Sequence, residues 1–514
     1  MEKTRLFPSS RPQQPISAPL SILDATVVRY APTGAIWLFE HIPEGVSETE
    51  FLDRLRSSFV DALNDSPHFA GQLQWAPVRP SGLHTERFNR PIIIYGDEKD
   101  PGVEWSVVRH SSISLQSLAP PASERASGKG VWIGDEFAQS LFLSNTSLPL
   151  HDLRECEGLP AVQIQLNLFN DGGYGIGIKM AHALADAQAL MVFVHHWAAQ
   201  SRKSFSFTDT SSLMDAPIFN PALLDARAAG DIDGPAADPA LVSAARQLPL
   251  HRFDWWRTNA PGYPPFSIPT TENSKPSAEA LSQLELSPST SAPWLTWDFS
   301  RPVRYTQLHY PGPELDRLKE QARANGRLDI SRLDALLAHI WAAINHARGH
   351  DKSTEDVFLN LTLGVRARVS PPLPDSFMGS PLFLAHIKSS GASACTSSVG
   401  QTASKIRETM LRFTPDAVGA MLHDAAHEVS PQRLWQAFLG TQHTLVTSWL
   451  RLKVYQVDFV GSKRQPRYVH AVMPKMDGCL QVMDPGVDDG GVDIALYLDA
   501  EAMEKLLVDR QLHV

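Results

Sequence analysis

The chain has 514 residues, 43% hydrophobic and 20% charged, with 46 Lys and Arg against 56 Asp and Glu for a net charge of −10. This is the composition of a globular protein too long for one ordinary core, so two large lobes are expected. The acidic balance argues against a nucleic-acid partner, and no apolar run reaches the roughly 18 residues of a membrane span. Cys156, Cys395 and Cys479 are isolated, which points to neither a disulfide framework nor a thiolate metal site. The N-terminal stretch has no apolar signal-peptide core, so a cytoplasmic location is the expectation.

Residues 1–20, rich in Pro and Ser, read as a loose arm, with Ser21-Ile22-Leu23-Asp24 opening the ordered part. Ala35–Phe39 reads as a buried strand. Ser47-x-x-Glu50 is a capping box, and Phe51, Leu52, Leu55, Phe59, Val60 and Leu63 follow at helical spacing. Phe69-Ala70-Gly71-Gln72-Leu73 begins another strand. Val162, Ile164, Leu166 and Leu168 alternate with Gln163, Gln165 and Asn167, the period of a half-buried strand. Asn170-Asp171-Gly172-Gly173 then suits a hairpin turn, because glycine adopts positive φ without steric cost. The returning strand, Tyr174–Met180, runs into His182-Ala183-Leu184-Ala185-Asp186 and then into helix-forming residues.

From about Phe205 to Ser300 prolines, serines and glycines crowd together, which reads as a crossover with mobile sections. Residues 1–215 and 301–514 are therefore expected as lobes, and part of 365–425 as packing back on the first. In the second half Ser331 caps a helix with Asp334 in its first turn. Val357–Leu363 reads as a strand ending at Gly364. Leu445–Phe459 reads as strands around Thr447-Ser448-Trp449, and Val492–Leu498 as the last strand. Alternating strands and helices make the class mixed α/β, and neither GxGxxG nor a P-loop is present.

A histidine at a strand-to-helix junction is held by rigid elements yet can face a cleft, which suits a general base. His182 and Asp186 share a face if the junction is helical. Otherwise Asp186 can fold back on nearby backbone or an arginine. With 19 histidines, about one His-x-x-x-Asp is expected by chance, and the chain has one. Spacing alone therefore does not distinguish a catalytic from a packed histidine. His423 and His427, at i and i+4, could bind a metal but lack the Glu of HExxH and a third ligand, so no metal is expected. His346 and His350 read the same way, and of His195 and His196 at least one should pack or face solvent.

Taken in order, these segments resemble a BAHD-type, coenzyme-A-dependent acyltransferase over about residues 21–510. HxxxD is His182–Asp186 behind its glycine hairpin. The TSW segment is Thr447-Ser448-Trp449, and the DFGWG signature with its lysine is Asp458-Phe459-Val460-Gly461-Ser462-Lys463. The helix from Ser331 to Trp341 and Arg366-Ala367-Arg368-Val369-Ser370-Pro371-Pro372-Leu373-Pro374 resemble two further family segments, and Phe69–Leu73 resembles PLAGRL. Ala187 replaces the glycine after HxxxD, and the DFGWG segment lacks its first glycine and its tryptophan. The pattern is closer to the fungal branch, similar to trichothecene O-acetyltransferases, than to the plant one.

The resemblance implies two chloramphenicol-acetyltransferase-like lobes, each a mixed sheet flanked by helices, with a tunnel between them. Acyl-coenzyme A, acetyl by default, would enter from one face and a small-molecule acceptor from the other. The enzyme would be a monomer without metal. His182 would take the proton of an acceptor hydroxyl as it attacks the thioester, with no acyl-enzyme. Asp186 would be structural, with Arg366 its candidate partner from its place after the strand. Thr447, Ser448 and the Trp449 indole are candidate oxyanion donors, the alternative for Trp449 being a core aromatic. Ser331, Ser380 and Ser448 are candidate coenzyme contacts. Lys463, Arg464 and Arg467 would meet coenzyme phosphates or else form a solvated turn. Asp458 and Phe459 would support the fold. The competing functions are N-acylation, a cyclisation or carbon–carbon bond-forming step on the same fold, and a non-catalytic binding module. A condensation-like domain would carry a second histidine where Ala181 stands.

Overall fold

The computed structural model describes residues 2–29, 31–79, 82–207, 211–287, 295, 298–434, 438–461, 464–509 and 512. Two large sheets dominate. The first has the order β1 (Glu2–Leu6), β6 (Val103–His110), β8 (Val162–Phe169), β9 (Tyr174–Met180), β3 (Thr33–Phe39), β14 (Tyr468–Ala471). The second has the order β12 (Leu382–Ser390), β11 (Asp356–Gly364), β13 (His443–Ser448), β15 (Cys479–Met483), β16 (Val492–Asp499), β10 (Val303–Tyr310), β7 (Val131–Ile133). A small sheet pairs β2 (Ile16–Pro19) and β4 (Gln72–Trp75) with β5 (Pro91–Tyr95). Each large sheet mixes parallel and antiparallel pairs, and helices cover them, so the mixed α/β class with two sheet-containing lobes holds.

The hairpin at the centre of the first sheet forms as its residues dictate. Gly172 has φ +83°, and Phe169 N donates to Gly173 O at 2.9 Å across the turn. The expectation of a half-buried strand fails, since every residue of β8 is buried. The polar face is covered by residues 141–147. Gln165 Nε2 donates to Leu141 O at 2.8 Å, Asn167 Nδ2 to Phe142 O at 3.1 Å, and Gln163 Nε2 to Thr146 O at 3.2 Å. Gly177 in β9 admits this cover, because a Cβ there would lie 2.0 Å from Phe142 O. Alternation reported the pleat correctly but could not show that the polar face binds carbonyls rather than water.

Three further expectations are corrected. Residues 1–20 are not a loose arm, because β1 pairs with β6 and β2 with β5. Residues 445–459 contribute only the end of β13, after which Arg451 and Lys453 turn the chain at positive φ. The described crossover is anchored rather than mobile. It buries Phe253, Trp255 and Trp256, bridges Ile218 to Phe377 and Leu250 to Ala385, and packs Pro239–Arg246 against Pro415–His427. Arg433 also donates to Asp254 at 2.6 Å, both side chains buried.

A division at residues 215 and 301 does not capture two strands. Residues 131–133 join the second sheet through β10, and residues 468–471 join the first through β3. Each half of the chain thus lends a strand to the other's sheet.

Candidate functional site

The junction after β9 is not α-helical. His182–Leu184 is one 3-10 turn, Ala185 is extended, and Asp186 is the N-cap of the helix Ala187–Ser204. His182 and Asp186 therefore do not share a helical face. Asp186 Oδ1 accepts from Ala189 N at 2.8 Å, the usual work of an N-cap aspartate. Its carboxylate also takes both arms of Arg366, at 2.6 Å from Nη1 and 3.0 Å from Nη2, with both residues buried. Arg366 Nη2 further donates to Phe377 O at 2.8 Å. The fork and carboxylate match in plane and charge, which fixes the helix start against the segment after β11.

That segment returns through Met378-Gly379-Ser380 to the histidine. Asp186 N donates to Gly379 O at 2.9 Å, and Ala185 bridges to Gly379. Ser380 Oγ lies 3.0 Å from His182 Nδ1 and donates to the carbonyl of His182 itself. A serine has one hydrogen. With that hydrogen on the carbonyl, Ser380 Oγ accepts from Nδ1, so Nδ1 carries the ring proton and Nε2 the basic lone pair. Burial pulls the His182 pKa down, partly offset by its own carbonyl and by the Asp186 charge, so the ring is neutral at physiological pH. Within residues 181–186 only His182 keeps appreciable accessible surface. A neutral imidazole that is enclosed yet reachable, with its tautomer set, can take a proton from a hydroxyl or amine.

The second sheet carries Thr447 and Ser448 at the end of β13, beside β11. β11 pairs Gly364 with Leu382, two residues past Ser380, and β13 runs parallel to β11 with Val446 beside Leu361. Thr447 Oγ1 is buried without a hydrogen-bond partner. Ser448 is exposed and its Oγ accepts from Leu450 N at 3.4 Å. Trp449 is buried among residues of the first lobe's core.

Other candidates lie apart from His182 or are otherwise engaged. Ser331 Oγ donates to Asp334 at 2.7 Å and accepts from Asp334 N, a complete capping box. Asp458 Oδ1 closes a turn by accepting from Gly461 N at 2.8 Å, while its carbonyl takes Arg202. Phe459 is fully buried edge-on to Trp197 at 4.6 Å. Ser462 and Lys463 lie outside the described residues. Arg464 is exposed and reaches His41 O at 3.4 Å, whereas Arg467 is held by Ala119 O and Glu40 at 2.7 Å. His423 and His427 bind backbone groups, His346 meets Asp351 and His350 meets Asn345. His195 is buried and His196 pairs with Asp65 at 2.8 Å. Among the described residues no cluster of three or more His, Cys, Asp or Glu could hold a metal. Two surface cavities, of about 470 and about 180 Å³, contain none of the candidate residues.

Sequence reasoning missed two participants. Asp24 accepts from Ser380 N, and the Gly379 carbonyl takes Asp186 N. The only signal for Asp24 was the Ser21-x-x-Asp24 cap.

The sequence pattern of the Transferase family matches residues 137–255 and 303–512. The chain is 28% identical to Acyltransferase AFT15-1 of Alternaria alternata, over 99% of this chain and 96% of that protein. It is 25% identical to Acyltransferase abl6 of Leptosphaeria maculans, over 87% and 83% respectively. Among solved structures, F. sporotrichioides TRI101 complexed with coenzyme A and T-2 aligns with TM-score 0.63 at 14% identity, over 96% of this chain and 98% of that one. Vinorine synthase aligns with TM-score 0.62 at 16% identity, over 98% and 95%. At these identities the structures speak for the fold, and the family pattern speaks for descent. The chain belongs to the BAHD transferase family, whose members include these fungal acyltransferases.

Proposed function

We propose that this protein transfers an acyl group from acyl-coenzyme A to a hydroxyl of a small-molecule acceptor, with His182 Nε2 as general base. The observation that carries the reading is the pair of contacts from Ser380 that puts the ring proton on Nδ1 of a neutral, reachable imidazole. Nε2 takes the acceptor's hydroxyl proton as the oxygen attacks the thioester carbonyl. An alcohol is a weak nucleophile until that proton leaves, and a neutral histidine suits the task. The tetrahedral intermediate places negative charge on the former carbonyl oxygen, and the buried, unpartnered hydroxyl of Thr447 is the donor we assign to it. Collapse breaks the carbon–sulfur bond, and the departing thiolate takes the proton from Nε2. Ester and free coenzyme A leave, and the ring returns to its starting state.

Asp186 does not relay protons in this scheme, because both its oxygens are engaged by Arg366 and the helix start. The two substrates would approach through a passage between the lobes. The TRI101 neighbour is a complex with coenzyme A, which supports the donor class, and acetyl-coenzyme A is the first donor to test. The test is thiol release from acetyl-coenzyme A and longer acyl-coenzyme A against a panel of metabolite alcohols. Acceptor-dependent release by wild type and none by His182→Ala is the expected result. Near-normal release by His182→Ala overturns the base assignment.

A further inference from the structure

We infer that Asp24 is a positioning residue for His182 and acts on it through the Gly379-Ser380 turn; this deepens the reading just given and rests on it. Asp24 is 1% exposed, at the start of the short helix Ile22–Thr26. Its Oδ2 accepts from Ser21 N at 2.9 Å and from Ser21 Oγ at 2.7 Å, which completes a capping box. Its Oδ1 does something a cap does not require. It accepts from Ser380 N at 2.6 Å, across 356 residues of chain.

Ser380 is the residue whose hydroxyl engages both the carbonyl and Nδ1 of His182. The order of contact is therefore Asp24 carboxylate, Ser380 backbone, Ser380 hydroxyl, His182 ring. Gly379 shows how closely the turn is set on the carboxylate. It has φ +119°, and a Cβ there would lie 2.9 Å from Asp24 Oδ1. The same glycine's carbonyl takes Asp186 N, so one turn joins Asp24 to both ends of the His182–Asp186 segment.

The chemistry of Asp24 also exceeds what a cap needs. Burial raises its pKa to about 7, against the hydrogen bonds from Ser21 and Ser380 N, and Asp225 raises it further. A buried carboxylate with no cation beside it is costly. Ser21 already caps this short helix, and a neutral glutamine at the third position could close the capping box without that cost. What a carboxylate adds is a short, charge-assisted bond to Ser380 N, which holds the turn at one distance from the ring. A looser turn would withdraw the acceptor that keeps the proton on Nδ1.

The test uses the full-length protein and three variants. Asp24→Asn presents an amide N–H to donors that need an acceptor. It should lower kcat by about tenfold to a hundredfold while both KM values stay within about twofold. Ser21→Ala removes the contacts of the Ser21 hydroxyl but keeps Ser21 N and Ser380 N on Asp24, and kcat should stay within about threefold of wild type. Should Asp24→Asn fail to fold, Gly379→Ala pushes the turn off the carboxylate with Asp24 intact and should give the same kcat-selective loss. Unchanged kcat in Asp24→Asn, or in Gly379→Ala where only that variant folds, overturns the inference. So does an equal loss in Ser21→Ala. A second readout does not depend on turnover: the rate at which diethylpyrocarbonate labels His182, followed by peptide mass spectrometry. If wild type releases no thiol with any donor and acceptor, the proposed function fails. A labelling rate changed about tenfold by Asp24→Asn then still upholds this inference. An unchanged rate overturns it.

Discussion

Two histidines of this protein, one in the turn after a strand and one within a strand, have opposite surroundings. His182, just past the end of β9, meets a hydroxyl and its own carbonyl, and its one carboxylate neighbour is already neutralised by Arg366. His309, in β10, lies between Asp489 at 2.8 Å and Asp493 at 2.7 Å. Burial alone would lower both pKa values. At His309 the two carboxylates outweigh it and raise the pKa, whereas at His182 burial prevails. A ring held as imidazolium between carboxylates is a cross-link between β10 and β16. A ring kept neutral with its tautomer set is available for chemistry. The partners, not the residue type, decide whether a ring is a charged cross-link or a neutral imidazole.

The contrast is tested most strongly at the rings themselves. His182→Ala should lower kcat by about 10²- to 10⁴-fold, with the thermal transition unmoved. Loss of structure instead would make His182 a core residue like His309. Next in size is the salt bridge that isolates His182 from charge. Arg366→Ala leaves Asp186 buried and uncompensated and should destabilise the protein by about 3–5 kcal/mol, read by urea unfolding. Arg366→Lys should recover only part, since an ammonium cannot take both oxygens in the fork geometry. Third is Thr447→Val, which removes the unpartnered hydroxyl at nearly constant volume. A kcat loss of about a hundredfold with KM unchanged would identify the oxyanion donor. An unaffected kcat would pass that role to another group.

Much of the fold could be read before the structure, for a physical reason. The hairpin Val162–Met180 and the helices capped by Ser47 and Ser331 rest on local periodicity and local hydrogen bonds, which a single chain displays. Strand exchange between the sheets rests on pairings hundreds of residues apart, which no local pattern encodes. The arm at residues 1–20 shows the same limit, since its prolines hid two strands on sheet edges, where proline is tolerated. At the site, His182 and Asp186 were visible as a spacing, and the place of Arg366 after a strand suggested it could reach them. Asp24 was not readable as more than a cap, because its second oxygen meets a residue 356 positions away. The basic run is a different case. It looks like an anion site in any sequence; Lys463 lies outside the described residues, Arg464 is exposed, and neighbouring Arg467 is committed to Glu40 and Ala119.

The smallest expected effect separates the two histidines by pH. In the proposed reaction the active form of His182 is the neutral ring, whose pKa lies below the ordinary value of about 6.5, and Asp24 carries its positioning charge only above about 7, so kcat/KM should fall as pH drops through neutrality and stay level on the alkaline side. His309 works in the other direction and on stability. Its folded pKa is raised, so its contribution is fully present below the unfolded value of about 6.5 and disappears as pH climbs through the folded one. Burial also pushes Asp493 up, but with two carboxylates on one ring the imidazolium is the form the site favours. The thermal midpoint of wild type should therefore decline on the alkaline side, relative to His309→Gln, while kcat/KM over the same range does not change. His84, set between Asp225 and Asp233 at the base of the crossover, is raised in the same way and should add to that decline. A kcat/KM that tracked the midpoint through this range would mean that the two rings are not independent, and that the β10–β16 cross-link reaches the reaction centre.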